Sequence, residues 1–216
     1  MKNVSPEEVR SFRNNLLSWA EDNLREYPWR KTDSPYHILV AEILLQQTFA
    51  DKVVPVYEAF VEKYPNLETL AEAEVSAIAS LLEPLGLQNV RAQALINIAN
   101  KCRNEGIPDD EKELLQLPYV GPYAANATLC FAFDRRRPVV DANVVRIYNR
   151  AFGVDFTPQD DQVWMLADQI LSDEDYQRFN LALIDFGAKV CSSNSPLCAE
   201  CFYQDQCAHY SSTNRS

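Results

Sequence analysis

Apolar positions recur at helical spacing along most of the chain, and alternation of the kind a half-buried strand needs is nowhere sustained. Phe12, Leu16, Leu17, Ala20 and Leu24 form one stripe through residues 5–26, where Ser5 with Glu8 makes a capping box and Pro6 takes the first helical position. Tyr27-Pro28-Trp29-Arg30 ends that helix, and Pro35 starts another whose stretch from His37 to Leu45 is almost wholly apolar. Three more helices are predicted over 51–64, 67–83 and 89–104, separated by Pro65 and by the Pro84-Leu85-Gly86 turn. Tyr123 to Phe133 is Ala-rich and suited to a buried helix. Asp141-Ala142-Asn143 reads as an N-cap and first turn, followed by Val144, Val145, Tyr148 and Ala151 on one face. Residues 160–171 and 175–189 supply the last two predicted helices, the second packed through Tyr176, Phe179, Leu183, Ile184 and Phe186. An all-α fold is therefore expected.

The other bulk features change this picture little. The 216 residues are enough for one large domain or two small lobes with a packed core. No segment approaches the length of uncharged apolar chain that crosses a bilayer, and MKNVSPEEVRSF has no apolar signal core, so neither a membrane span nor export is expected. The net charge of −11 opposes binding to a polyanion. The cations are grouped, however, at Arg25, Arg30 and Lys31, at Arg91, Lys101 and Arg103, and at Arg135 to Arg137, Arg146 and Arg150. Acidic residues concentrate in 58–83, 105–113 and 155–175, so a basic groove on an acidic body is the expectation under which nucleic acid could bind.

Candidate chemistry gathers around Leu117 to Arg150. Leu117-Pro118-Tyr119-Val120-Gly121-Pro122 holds two prolines and a glycine in six residues, turn chemistry between two helices. Arg135-Arg136-Arg137-Pro138 breaks the next helix and Val139-Val140 leads to Asp141. Earlier, Glu42 stands inside Ile38-Leu39-Val40-Ala41-Glu42-Ile43-Leu44-Leu45, where a carboxylate is costly to bury without a partner. It is either a glutamate satisfied by a neighbour or a proton-transfer group. His37 and His209, the only histidines, form no cluster, and no Ser- or Cys-based nucleophilic arrangement is visible.

Near the C-terminus, Cys191, Cys198, Cys201 and Cys207 follow the spacing C-x6-C-x2-C-x5-C. That spacing permits a tetrathiolate zinc site or an iron–sulfur cluster, and a disulfide pair is disfavoured without a secretion signal. Cys102 and Cys130 fall on helices and read as core.

Together these residues resemble the helix-hairpin-helix DNA glycosylase superfamily typified by endonuclease III. The resemblance covers nearly the whole chain and implies a helical barrel domain over 28–134 carrying the hairpin, with 1–27 and 135–216 forming a discontinuous cluster domain. It implies that the four cysteines hold a [4Fe–4S] cluster, and that the LPYVGP turn, with Leu117, Val120, Gly121 and Tyr123, contacts a DNA phosphate. Tyr119 replaces the first glycine of the family's LPGVG form, and Pro122 lacks an amide donor. The catalytic aspartate corresponds to Asp141, and Glu42 to a base-pocket glutamate that assists departure of the base. Gln46 and Gln47 correspond to DNA-contacting residues, the second of which, Gln47, fills the gap left by an extruded nucleotide, with Leu87 in a second intercalating loop. Eighteen residues before the aspartate, where strand-cleaving members carry lysine, this chain has Tyr123.

The resemblance thus implies a monofunctional glycosylase of base excision repair, acting as a monomer on double-stranded DNA with a mismatched or damaged base, in the cytoplasm with the nucleoid. Tyr123 resembles the thymine and uracil mismatch branch. The Pro28-Trp29-Arg30 segment is similar to both branches, and Gln46-Gln47 to the adenine branch, where the archaeal-type thymine enzymes have arginines. Removal of thymine or uracil opposite guanine is the first expectation, removal of adenine opposite guanine or 8-oxoguanine the second, and an iron–sulfur DNA-binding module without catalysis the third.

Overall fold

The computed structural model describes residues 4–213, and among them there is no strand. The helices are α1 (Pro6–Asn23), α2 (Pro35–Leu45), α3 (Ala50–Lys63), α4 (Leu67–Ala71), α5 (Val75–Leu82) and α6 (Gln88–Cys102). They continue with α7 (Glu111–Leu114), α8 (Pro122–Ala132), α9 (Ala142–Phe152), α10 (Asp161–Ile170), α11 (Tyr176–Lys189) and α12 (Ala208–Thr213). Short 3-10 turns occupy Pro28–Arg30, Glu83–Leu85, Cys198–Glu200 and Gln204–Gln206. The chain divides into two compact units, residues 26–135 and residues 1–25 with 136–216.

In the unit 26–135, α2 is the central element. Ser34 caps it through the His37 amide, Pro35 takes its first position, and Tyr36, Ile38, Leu39, Val40, Ala41, Glu42, Ile43 and Leu44 are all buried. A helix buried on every side must be surrounded, and α2 packs against α3, α6, α8 and the Pro28–Arg30 turn. Small residues on α8, Ala124, Ala125 and Ala127, allow its close approach. The expected helix over 67–83 is two helices, α4 and α5, broken at Glu72–Glu74, where three acidic or small residues give the turn no apolar reason to continue. The four-residue α7 was not predicted; Asp110 caps it through the Lys112 and Glu113 amides.

In the other unit, α1 lies on α11 and α10, and α9 on α11 and α12. The capping box reads as predicted: the Ser5 amide donates to Glu8 Oε2 at 2.8 Å and the Glu8 amide to Ser5 Oγ at 3.2 Å. Phe12 of α1 meets Tyr148, Phe152, Phe202 and Tyr203 at ring-centroid distances of 5.1 to 6.3 Å, an aromatic centre drawn from widely separated parts of the sequence. Asp185 on α11 is fully buried and accepts from the Arg25 amide (2.8 Å) and from Arg25 Nε (2.7 Å).

Candidate active site

Asp141 sits where its side chain can do two things at once. Extended at φ −109°, it ends the Val139-Val140 segment and caps α9, accepting the Val144 amide on Oδ1 at 2.8 Å. Oδ2 accepts from Asn143 Nδ2 at 2.6 Å. Asn143 Oδ1 in turn accepts from Arg146 Nη2 at 2.9 Å, and Arg146 Nε reaches the Cys191 carbonyl at 3.0 Å. The carboxylate is half-buried at a helix N-terminus, beside the positive end of the helix macrodipole. It is thus a fixed negative charge held in one rotamer by two donors. Burial lowers the Arg146 guanidinium pKa, opposed by Cys191 and Asp141.

The cysteine segment lies at the end of that chain. Arg150 Nη1 donates to Cys191 Sγ at 3.6 Å and to the Ser192 carbonyl at 2.6 Å, and its Nη2 to the Ser193 carbonyl at 2.8 Å. The Tyr203 amide donates to Cys201 Sγ at 3.4 Å, and Cys207 Sγ donates to the Arg150 carbonyl at 3.3 Å. Burial pushes the Cys201 thiol up to about 11, with Cys207, Cys191 and Cys198 adding repulsion. Burial raises Cys198 likewise, reinforced by Cys207 and Cys191. Among the described residues, no group of three or more His, Cys, Asp or Glu side chains is arranged to hold a metal ion. The four thiols are nevertheless electrostatic neighbours, bordered by an arginine and N–H donors, a donor set suited to a soft metal or cluster.

The unit 26–135 contributes the other candidates. Glu42 is 5% exposed in the middle of α2. Tyr123 is half-buried in the first turn of α8, the helix that packs on α2. Gln47 and Leu87 are exposed, on the turns that follow α2 and precede α6, and both adopt left-handed backbone, φ 55° and φ 50°. Phe49, two residues past Gln47, is 80% exposed. Gln46 is half-buried and spends its side-chain amide inside the protein, donating from Nε2 to the Tyr119 carbonyl at 3.0 Å.

The hairpin bends at Tyr119, φ 67°, so the tyrosine keeps the left-handed conformation that a glycine would adopt freely. Leu117 and Val120 bury their side chains, and their amides go to the Leu114 and Leu117 carbonyls at 3.0 and 3.3 Å. They shape the turn from within. Gly121 is the extended N-cap of α8 and Pro122 its first residue, where a missing N–H costs nothing. The Tyr123 and Ala124 amides belong to the first turn of α8, ahead of its first backbone bond, Ala125 N to Gly121 O at 3.0 Å, at the positive end of the helix.

The expected basic groove is largely consumed in structural contacts. Arg91 is fully buried, Arg25 is bound to Asp185, and Arg135 pairs with Asp109 at 3.2 Å. Arg136 pairs with Asp168 at 2.7 Å, and Arg146 and Arg150 hold the cysteine segment. Arg91 on α6 is the cation of that set which the structure buries completely. Its Nη1 donates to the carbonyls of Leu85 (3.1 Å) and Gly86 (2.8 Å), and its Nη2 to the Gln46 carbonyl and to Thr48 Oγ1 (2.9 Å). A signal was present: Arg91, Leu95, Ile98 and Cys102 share one helical face, and the other three are apolar and buried.

Two open depressions mark the unit 26–135. One of about 600 Å³ is edged by Glu26, Lys31, Asp51 and Glu58, and one of about 470 Å³ by Val90, Ala94, Asn97, Pro118 and Tyr119. Neither is lined by Glu42 or Tyr123.

Comparison with known proteins finds relatives over nearly the whole chain. Residues 40–171 match the family described as HhH-GPD superfamily base excision DNA repair protein. The chain is 34% identical to a thymine/uracil-DNA glycosylase of Methanothermobacter thermautotrophicus, covering 97% of this chain and 98% of that one. It is 35% identical to an adenine DNA glycosylase of Mus musculus over 96% of this chain and 43% of that one. The solved structure of a thermostable thymine-DNA glycosylase superposes with a TM-score of 0.92 at 33% identity, covering 97% of this chain and all of that one.

Proposed function

We infer the activity of this chain from one premise: it belongs to the HhH-GPD superfamily of base excision DNA repair proteins. Within that superfamily it is a DNA N-glycosylase, and we propose that it removes thymine or uracil mispaired with guanine by hydrolysing the N-glycosidic bond of a nucleotide turned out of the duplex. The observation that carries the reading is Asp141, a carboxylate held in one rotamer by the Val144 amide and the Asn143 side chain. Breaking the bond to the base builds positive charge on the sugar, and a fixed carboxylate stabilises that charge or orients the attacking water without reorganising first. The water oxygen bonds to the sugar carbon as the base leaves with the bonding electrons, and the proton the water gives up ends on the departing base.

The remaining residues take supporting parts. Glu42 assists the departing base or the water from its buried position on α2. Tyr123 has no amine, so a Schiff base with the sugar and the strand cleavage that follows it are not expected. Gln47 and Leu87, exposed on their turns, fill the space from which the nucleotide departs. The first-turn amides of α8 take a phosphate. Cys191, Cys198, Cys201 and Cys207 would hold a [4Fe–4S] cluster, whose contribution is to cross-link the segment that Arg146 and Arg150 tie to α9. Full-length correspondence with a thymine/uracil-DNA glycosylase, together with Tyr123, supports pyrimidine over adenine. Of the Gln46-Gln47 pair that fits the adenine branch, Gln46 is accounted for as a strut to the Tyr119 carbonyl, and Gln47 keeps adenine as the second reading.

The test is base release from duplexes containing G:T, G:U, A:G and A:8-oxoguanine, with borohydride trapping alongside. Abasic product from G:T and G:U alone, with no trapped covalent adduct, is the expected result. Release of adenine would overturn the pyrimidine assignment, a trapped adduct would overturn the monofunctional one, and no release from any duplex would leave a DNA-binding module.

A further inference from the structure

Arg91 is a buried cation whose side chain donates to three carbonyls and a hydroxyl rather than to a carboxylate. Such a group is expensive in a helix face that Leu95, Ile98 and Cys102 otherwise make apolar, and a methionine there would avoid the desolvation. The guanidinium sits where two turns converge, because one arm of its fork serves Leu85 and Gly86 and the other serves Gln46 and Thr48. A third turn joins through Gln46, whose amide holds the Tyr119 carbonyl, and the Tyr119 phenol faces the same guanidinium.

Each of these three turns contains one non-glycine residue in left-handed backbone: Gln47, Leu87 and Tyr119. Among the described residues only Asp134 shares that property. Left-handed L residues cost free energy and persist where the surroundings fix them. Here the surroundings common to all three are Arg91 and its direct partners. The exposed apolar side chains Phe49 (80%), Leu87 (45%) and Val90 (53%) lie on or beside the same turns.

We propose that Arg91 is the positioning residue that presets the Gln46–Thr48 and Leu85–Leu87 turns, and through Gln46 the hairpin, so that Gln47 and Leu87 enter the duplex already in their bound conformation. The inference rests on the glycosylase reading above. It makes the ordering of the loops part of folding rather than of DNA binding, which is the term that preorganisation removes from a binding equilibrium.

The test uses the full chain with Arg91→Met, Arg91→Lys and Thr48→Val, each first checked for cooperative thermal unfolding. Thr48→Val removes one acceptor at the turn and leaves the core intact, so it keeps the test open should Arg91→Met not fold. Extrusion is read from the fluorescence of 2-aminopurine beside the target base at saturating enzyme. Binding is read separately on a duplex with a tetrahydrofuran abasic residue, which has no base to expel. The expected result is an extrusion equilibrium weakened about tenfold or more in Arg91→Met, less in Arg91→Lys and Thr48→Val, with abasic-duplex affinity changed by less than about threefold. Folded variants with unchanged extrusion would overturn the assignment. So would equal losses on both duplexes, which would make Arg91 a residue of the fold alone. Wild-type protein that neither extrudes nor releases any base would overturn the glycosylase reading itself, and the assignment with it.

Discussion

Replacing Asp141 by asparagine separates the two tasks that its side chain performs. The cap on α9 survives, because an amide oxygen can still accept the Val144 N–H now held at 2.8 Å, and asparagine caps as well as aspartate does. The other oxygen becomes an NH2 facing Asn143 Nδ2, 2.6 Å away in the native arrangement. Turning the Asn143 amide over relieves that conflict but sets its NH2 against Arg146 Nη2, now 2.9 Å from Asn143 Oδ1. One hydrogen bond is lost either way, a charge-assisted one, worth about 1–3 kcal/mol. For a chain of this size the melting temperature should fall by about 2–10 °C. The chemical loss is separate and larger: removing the charge from beside the developing cation should slow base release at least about 100-fold, or ~2.7 kcal/mol in barrier. Asn143→Ala is the control. It removes both hydrogen bonds of the Asn143 side chain, one more than Asp141→Asn loses, lowers the melting temperature at least as much, and leaves the carboxylate. Single-turnover release from a G:U duplex should therefore fall far less in Asn143→Ala than in Asp141→Asn. Equal activity losses in the two variants would refute the argument that the charge of Asp141, rather than its place in the hydrogen-bonded chain, drives the reaction.

Further expectations concern the scaffold. A Cβ on Gly187 of α11 would stand 2.9 Å from Asn143 Cβ and 3.3 Å from Ile147 Cδ1, so Gly187→Ala should push Asn143 and slow base release while lowering stability by about 1–2 kcal/mol despite the better helix propensity, measured by denaturant unfolding. Asp185→Ala removes the acceptor of the Arg25 amide and of its 27%-exposed side chain, and should lower the melting temperature by about 4–15 °C for a loss of about 2–4 kcal/mol, discounted for that exposure. Cys198→Ser should yield protein with diminished visible absorbance and iron content; unchanged iron would rule Cys198 out as a ligand.

The sequence made those parts visible whose physics is local. Ser5 with Glu8, Pro35 after Ser34, and Asp141 before a periodic apolar run are start signals, and each starts a helix at the residue expected. The break at Glu72–Glu74 was hidden because a helical stripe continues in register across it, from Leu67 and Leu70 to Ile78 and Leu82. Less legible were side chains whose partners lie far along the chain. Arg25 looked like a groove cation until Asp185, 160 residues away, claimed it. Arg146 and Arg150 looked alike, and their partners are carbonyls of the cysteine segment more than 40 residues on. A carbonyl gives no sequence signal at all. The destinations of Arg91, Arg146 and Arg150 were therefore hidden altogether, while the carboxylate at a helix start was legible.

The aromatic centre around Phe12 has a consequence for how the molecule is made. Helix α1 leaves the ribosome early, yet the partners of its apolar stripe, Tyr148, Phe152, Phe202 and Tyr203, are among the later residues translated. Residues 26–135 have their own core and can close as soon as they emerge. At roughly 5–20 residues per second, the roughly 190 residues between Phe12 and Tyr203 keep α1 waiting about 10–40 s with Phe12 and Leu16 uncovered. Nascent chains of this protein should therefore be chaperone clients for a defined interval, one that begins with the first helix and ends only when the cysteine segment has been translated.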